Sequence, residues 1–249
     1  MKKRYKNPPI QEAVCEFRLK PDSKWDITVP GLIYEKLREE FPNKKKRINR
    51  GIQKRQTSKD SKGEEYQIIT DERIQFLAKD KKSFVQIGSG ILSINCLDPY
   101  PGWNLFRPQI KHGFDALTSV VEFKELHRVG LRYINRIELA GTRVELENYF
   151  QFRPFLGQDV PQEMERFIVG CEVLPDGKTD ICRVQLTDAR PRKSGNAGFL
   201  LDIDYSPRQL QNISADKALE WVEQAHNQIE KIFEACICDS LRKIFEEVE

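Results

Sequence analysis

Arg128-Val-Gly-Leu-Arg-Tyr-Ile-Asn-Arg-Ile-Glu-Leu139 lies near the middle of the chain. It reads as one long strand with two unlike faces. Side chains on a strand alternate, so Val129, Leu131, Tyr133, Ile137 and Leu139 point one way, with Asn135 among them. Arg128, Arg132 and Arg136 point the other way. One face is core, the other a cationic stripe.

Outward from this strand the pattern predicts an α+β chain. Ala13, Cys15, Phe17 and Leu19 alternate with polar neighbours and mark an earlier strand. A helix follows Pro30-Gly31, and strands are expected over 66–70, 73–79 and 83–97, turning at Gly88-Ser-Gly90. Between helix and strands, residues 43–55 hold seven Lys or Arg and read as a loop or arm. Trp103 to Val121 has a helical stripe. After the central strand, 144–155 suits a short helix. A hairpin is then expected around Pro175-Asp-Gly-Lys178, with Cys171 opposite Cys182 and both in the core. Phe199, Leu201, Ile203 and Tyr205 make the inner face of a last strand. Ala215 to Val248 reads as one helix, about 50 Å long at 1.5 Å per residue.

The order strand, helix, three strands, helix occurs twice. It suggests an internal duplication, with units at 1–123 and 124–249 and antiparallel sheets carrying helices on one face.

Composition sets limits. The net charge of +3 is too small to argue for nucleic acid, so local patches must carry that case. No segment reaches the roughly 18 apolar residues of a membrane span, and no apolar run follows the basic start. A cytoplasmic protein with six reduced cysteines is expected.

Three stretches resemble a sporadically distributed family of uncharacterised bacterial proteins. They are Asn7-Pro-Pro-Ile10 with Glu12-Ala-Val-Cys-Glu-Phe17, Val129-Gly-Leu-Arg-Tyr-Ile-Asn-Arg-Ile137, and Leu219-Glu-Trp-Val-Glu-Gln-Ala-His226 with Ile229 and Phe233. The resemblance spans the chain. It implies a patchy, mobile-element-like distribution, common among defence and toxin–antitoxin accessory proteins. It implies no activity and no catalytic residues.

The chemistry-bearing groups each have two readings. Arg128, Arg132 and Arg136 form an anion or nucleic-acid surface, or a ladder of ion pairs with Asp202, Asp204 or Glu138. Lys44, Lys45, Lys46, Arg47 and Arg50, with Lys54 and Arg55, grip a phosphate backbone or form a solvated loop. Arg190, Arg192 and Lys193 make a second basic loop. Asp202-x-Asp204 has the spacing of a Mg²⁺-holding pair, but no phosphate-binding glycine loop leads into a helix. No metal site and no cofactor is expected: Cys236 and Cys238 would point about 200° apart on a helix. His112 and His226 occupy matching places in the two units and suggest packing. The last helix has a stripe too wide for one sheet face. Phe233, Ile237, Leu241, Ile244 and Phe245 are therefore expected to meet a protein partner or a second copy.

The leading expectation is a non-enzymatic binding or adaptor protein, an accessory component of a bacterial anti-phage defence or toxin–antitoxin locus. The alternative is a nucleic-acid-binding protein using loops 44–55 and 190–193 and the arginine stripe. A phosphoryl-transfer enzyme comes third.

Overall fold

The structure, a computed structural model, describes residues 4–55, 65–175, 179–208 and 213–248; the side chains of residues 49–71 lie outside that description. In chain order the elements are β1 (Arg4–Tyr5), β2 (Ile10–Leu19), α1 (Val29–Leu37), β3 (Asn43–Arg55), β4 (Glu65–Leu77), β5 (Ser83–Gly88), β6 (Ile91–Leu97) and α2 (Trp103–Val120). There follow β7 (Glu125–Ala140), β8 (Ile168–Val173), β9 (Asp180–Ala189), β10 (Asn196–Pro207), β11 (Ile213–Ser214), α3 (Ala218–Cys236), α4 (Asp239–Phe245) and β12 (Glu247–Val248).

The chain is α+β. Among the described residues, ten strands form one antiparallel sheet in the order β3-β4-β5-β6-β2-β7-β10-β9-β8, with β11 also on β7. Strand β7 sits between β2 and β10, so it is buried on one face and laddered on both sides. This is why its alternation is so clean. The units expected at 1–123 and 124–249 share this sheet through the β2–β7 ladder. Outward from that ladder one half runs β6, β5, β4, β3 and the other β10, β9, β8. In both halves the last strand of the meander returns beside the first.

All the packed helices lie on one face. Phe17 meets Phe114 of α2 at 4.6 Å between ring centroids, Phe76 meets Tyr34 of α1 at 5.1 Å, and Tyr205 meets Trp221 of α3 at 5.7 Å. Gly113 lets α2 sit close: a Cβ there would meet Ile94 Cγ1 at 2.9 Å. The core strands contribute Cys15, Leu92, Ile94, Leu131, Ile137, Leu201 and Ile203, all buried.

Four expectations need correction. Residues 43–55 are a strand, not a loop. Strand β4 is continuous over the two short strands expected there and is rich in strand formers; its backbone groups need partners, and β3 supplies them. Residues 144–155 contain only a 3₁₀ turn at Leu146–Asn148. The hairpin pairs Cys171 with Val184 and Val173 with Cys182, a slip of two residues that keeps every side chain on its expected face. Residues 176–178 of that turn lie outside the described residues. Cys171 is exposed rather than core, because β8 is the outermost strand.

The fourth correction concerns the C-terminus. The single long helix is two helices, broken where Ile237 and Cys238 become extended. The break is stabilised from afar: Gln151 N–H donates to the Cys236 carbonyl at 2.9 Å and Cys238 N–H to the Tyr149 carbonyl at 2.8 Å. Phe150, bridged to Ile237, is buried against Phe199. The turn lets one wide apolar stripe bury in two directions. Ile237, Leu241 and Phe245 are buried in their own chain, and Tyr5 stacks edge-on against Phe233 and Phe245. Of the five residues expected at an interface, only Ile244 is exposed as a large apolar side chain.

Candidate nucleic-acid interface

Strands β3 and β4 pair over thirteen positions, from Asn43↔Leu77 to Arg55↔Glu65. Four residues of β4, Ile74 to Leu77, also pair with β5. The remaining nine pairs, from Arg47↔Arg73 outward, have no third strand among the described residues. At about 3.4 Å per residue that is a two-stranded arm roughly 30 Å long. Over all thirteen pairs β3 and β4 carry eight Lys or Arg and three Asp or Glu, five of the basic and all three acidic residues in the nine outer pairs, whereas the whole chain has a net charge of only +3. Strands β3 and β4 together therefore hold a larger positive excess than the molecule, with Lys44, Lys45 and Lys46 at the root of the arm, and the rest of the chain is net acidic.

At the root of the arm, Lys44 lies 4.1 Å over the Tyr34 ring and Lys46 pairs with Glu72 at 2.8 Å. These two lysines help to seat the strand. Lys45 is exposed on the opposite face, in register with Gln75, and Arg47 follows opposite Arg73. Arg50 lies in β3, but its side chain, like those of Lys54 and Arg55, is outside the described residues.

The arginine stripe lies on the helix-free face and is compensated. Arg132 makes two hydrogen bonds to Asp202, one at 2.8 Å from Nε and one from Nη2. That hydrogen bonding raises the Arg132 pKa. Arg128 lies 3.6 Å from Glu16 and 3.8 Å from Asp204. Arg136 reaches Glu138 at 3.3 Å and donates to the Arg190 carbonyl. Asp202 and Asp204 are thus engaged by arginines. Burial holds the Asp204 carboxyl above its usual range, against the pull of Arg128 and Arg132.

The second basic loop is pinned to the same strand. Glu138 accepts from the backbone N–H groups of Arg192 at 2.8 Å and Lys193 at 3.4 Å, which lowers its pKa. Arg192 also pairs with Asp98 at 3.1 Å. Arg190 and Lys193 are exposed. Six strand spacings separate β3 from β10, about 29 Å at 4.8 Å each. The two basic segments do not converge.

Two polar groups escaped the sequence reading. On the helix-free face Gln75 donates to Gln86 at 2.9 Å, Ser93 to Asn95 at 3.2 Å, and Asn95 to Glu12 at 2.8 Å, and the first four of these residues are buried. Their positions, out of phase with the apolar core residues, were the available signal. Under the helices, Tyr100, Tyr133 and His226 form a chain at 3.2 Å steps, and His226 Nε2 meets Glu230 at 3.2 Å. His226 also stacks on Trp103 with centroids 3.9 Å apart. The histidine packs, as its place suggested, but inside a polar relay that links the segment before α2, strand β7 and helix α3. No group of three or more His, Cys, Asp or Glu among the described residues is arranged to hold a metal.

Comparison with family models, curated proteins and solved structures finds no match.

Proposed function

We propose that the chain is a non-enzymatic binding protein and that its ligand is double-stranded nucleic acid, held by the β3–β4 arm. One observation carries this reading: in a nearly neutral chain the paired strands β3 and β4 carry eight Lys or Arg against three Asp or Glu, and they run beyond the sheet as a two-stranded ribbon. A two-stranded ribbon fits the major groove, and lysines and arginines along it neutralise phosphates. Tyr66 of β4 is the one aromatic residue in the nine outer pairs, which favours a duplex over a single strand, since a single strand needs successive stacking surfaces. The arginine stripe takes no phosphates in this reading, because carboxylates already occupy it. A protein of this kind serves as an accessory component of a bacterial defence or toxin–antitoxin locus, a setting supported by the sequence resemblance. A cytoplasmic location fits the six free cysteines. No helix among the described residues is long and apolar enough to cross a membrane.

The test is retention of a labelled mixed-sequence duplex at low salt, with a single strand of equal length for comparison. Tighter duplex binding is expected. Failure to retain either would remove the proposal.

A further inference from the structure

The two sides of the arm are unlike where it leaves the sheet. Lys44 lies over Tyr34 of α1, and Lys46 pairs with Glu72. These residues, with Phe76 and Ile74 opposite the two lysines, mark the helix side of the ribbon. Alternation places Lys45, Arg47, Arg73 and Gln75 on the other side. Gln75 agrees with this, since its amide donates to Gln86 on the helix-free face of the sheet.

The helix-free side gathers cations from both strands. Arg47 stands directly opposite Arg73 in the ladder, and Lys45 is two residues along from Arg47. Directly opposed side chains have Cβ atoms about 5 Å apart, and alternate residues of one strand are about 7 Å apart. Like charges directly opposite each other destabilise a ladder, and a phosphate seated between two guanidiniums offsets that effect. Arg73 also has a bed for its stem. Gly88 of β5 lies beside it, and a Cβ there would meet Arg73 Cγ at 3.4 Å and Nε at 3.7 Å. Arg73 is accordingly half-buried, while Lys45 and Arg47 are exposed.

The helix side of the root offers something different. Ile48 is 47% exposed and Ile74 36%, and the Glu72 carboxylate is engaged by Lys46. That side presents apolar surface and a closed ion pair.

We propose that the duplex meets the arm on its helix-free side, and that Arg73 of β4 is a phosphate contact beside Lys45 and Arg47. This rests on the duplex reading of the arm and gives it a direction. The helices then point away from the nucleic acid. Both strands of the ribbon supply contacts, not only the lysine-rich β3.

The test is the salt dependence of binding to a labelled mixed-sequence duplex between about 50 and 200 mM, where each phosphate contact contributes about 0.9 to the logarithmic slope. Arg73→Gln should flatten the slope by about 0.9 with an unchanged circular-dichroism spectrum. Arg73→Lys should restore the slope, because a phosphate contact needs the charge. Ile48→Lys adds a charge on the helix side and should leave the slope as in wild type. If Arg73→Gln fails to fold, Ile48→Lys decides in its place. An Arg73→Gln protein with the wild-type slope overturns the proposal, as does an Ile48→Lys protein whose slope is steeper by about 0.9. In either case duplex binding by wild type leaves the reading of the arm standing. A wild type that retains no duplex removes that reading and this proposal with it.

Discussion

Truncating Leu241 separates a helix that belongs to its own chain from one that belongs between chains. Leu241 in α4 is 0% exposed, while Ile244, one turn on, is 46% exposed. Leu→Ala in a core costs about 2–5 kcal/mol, so about 3 kcal/mol is expected for Leu241→Ala. For Ile244→Ala the half-buried side chain should cost about 1 kcal/mol or less. At roughly 2–4 °C per kcal/mol for a chain of this size, thermal melts should fall by about 6–12 °C and about 2–4 °C respectively. Because the loss is within one chain, the gap between the variants should not change with protein concentration. Equal losses, or a stable Leu241→Ala protein of reduced sedimenting mass, would refute the reasoning and return α4 to an interface.

Other expectations follow from the paired face and the thiols. The Asp204 carboxyl is raised by burial, so the folded chain holds its proton longer than the unfolded chain. Its contribution to stability is present at low pH and lost as pH rises through the folded value. Melting curves between about pH 3 and 7 should show Asp204→Asn gaining on wild type as pH rises; a gain in the other direction would mean the bond to Arg128 dominates. With a thiol reagent, exposed Cys171 should react fast and half-buried Cys238 more slowly. Cys15, Cys96, Cys182 and Cys236 are buried, which pushes Cys96 up to about 11 and Cys182 and Cys236 up to about 12. They should react only on unfolding, and four or more fast thiols in the native protein would contradict this burial.

The strands that were legible are those whose own residues carry the pattern. β7 and β10 alternate cleanly because one face is core and the other is charged. β3 was illegible because its strand character comes from β4, ten or more residues away, and not from its own run of lysines. The break at Ile237 was hidden for a similar reason. The apolar stripe is the same for one helix or two, and the groups that stabilise the break belong to Tyr149 and Gln151. The carboxylates facing the arginine stripe could be named from alternation alone. Their register against it required the fold, as did the distance between the two basic segments.

The central claim is that the arm binds duplex through phosphates, and its salt dependence is the direct measurement. The variant is Lys45→Gln with Arg47→Gln, leaving Lys44 on Tyr34 and Lys46 on Glu72 to seat the strand. Duplex affinity is followed between about 50 and 200 mM salt, where each phosphate contact contributes about 0.9 to the logarithmic slope. The variant slope should be shallower by about 1.8 if each residue holds one phosphate, on every sequence tried. Arg190→Gln with Lys193→Gln, on the distant loop, should leave the slope unchanged. An arm variant with the wild-type slope, or a loop variant that flattens it equally, would contradict the claim.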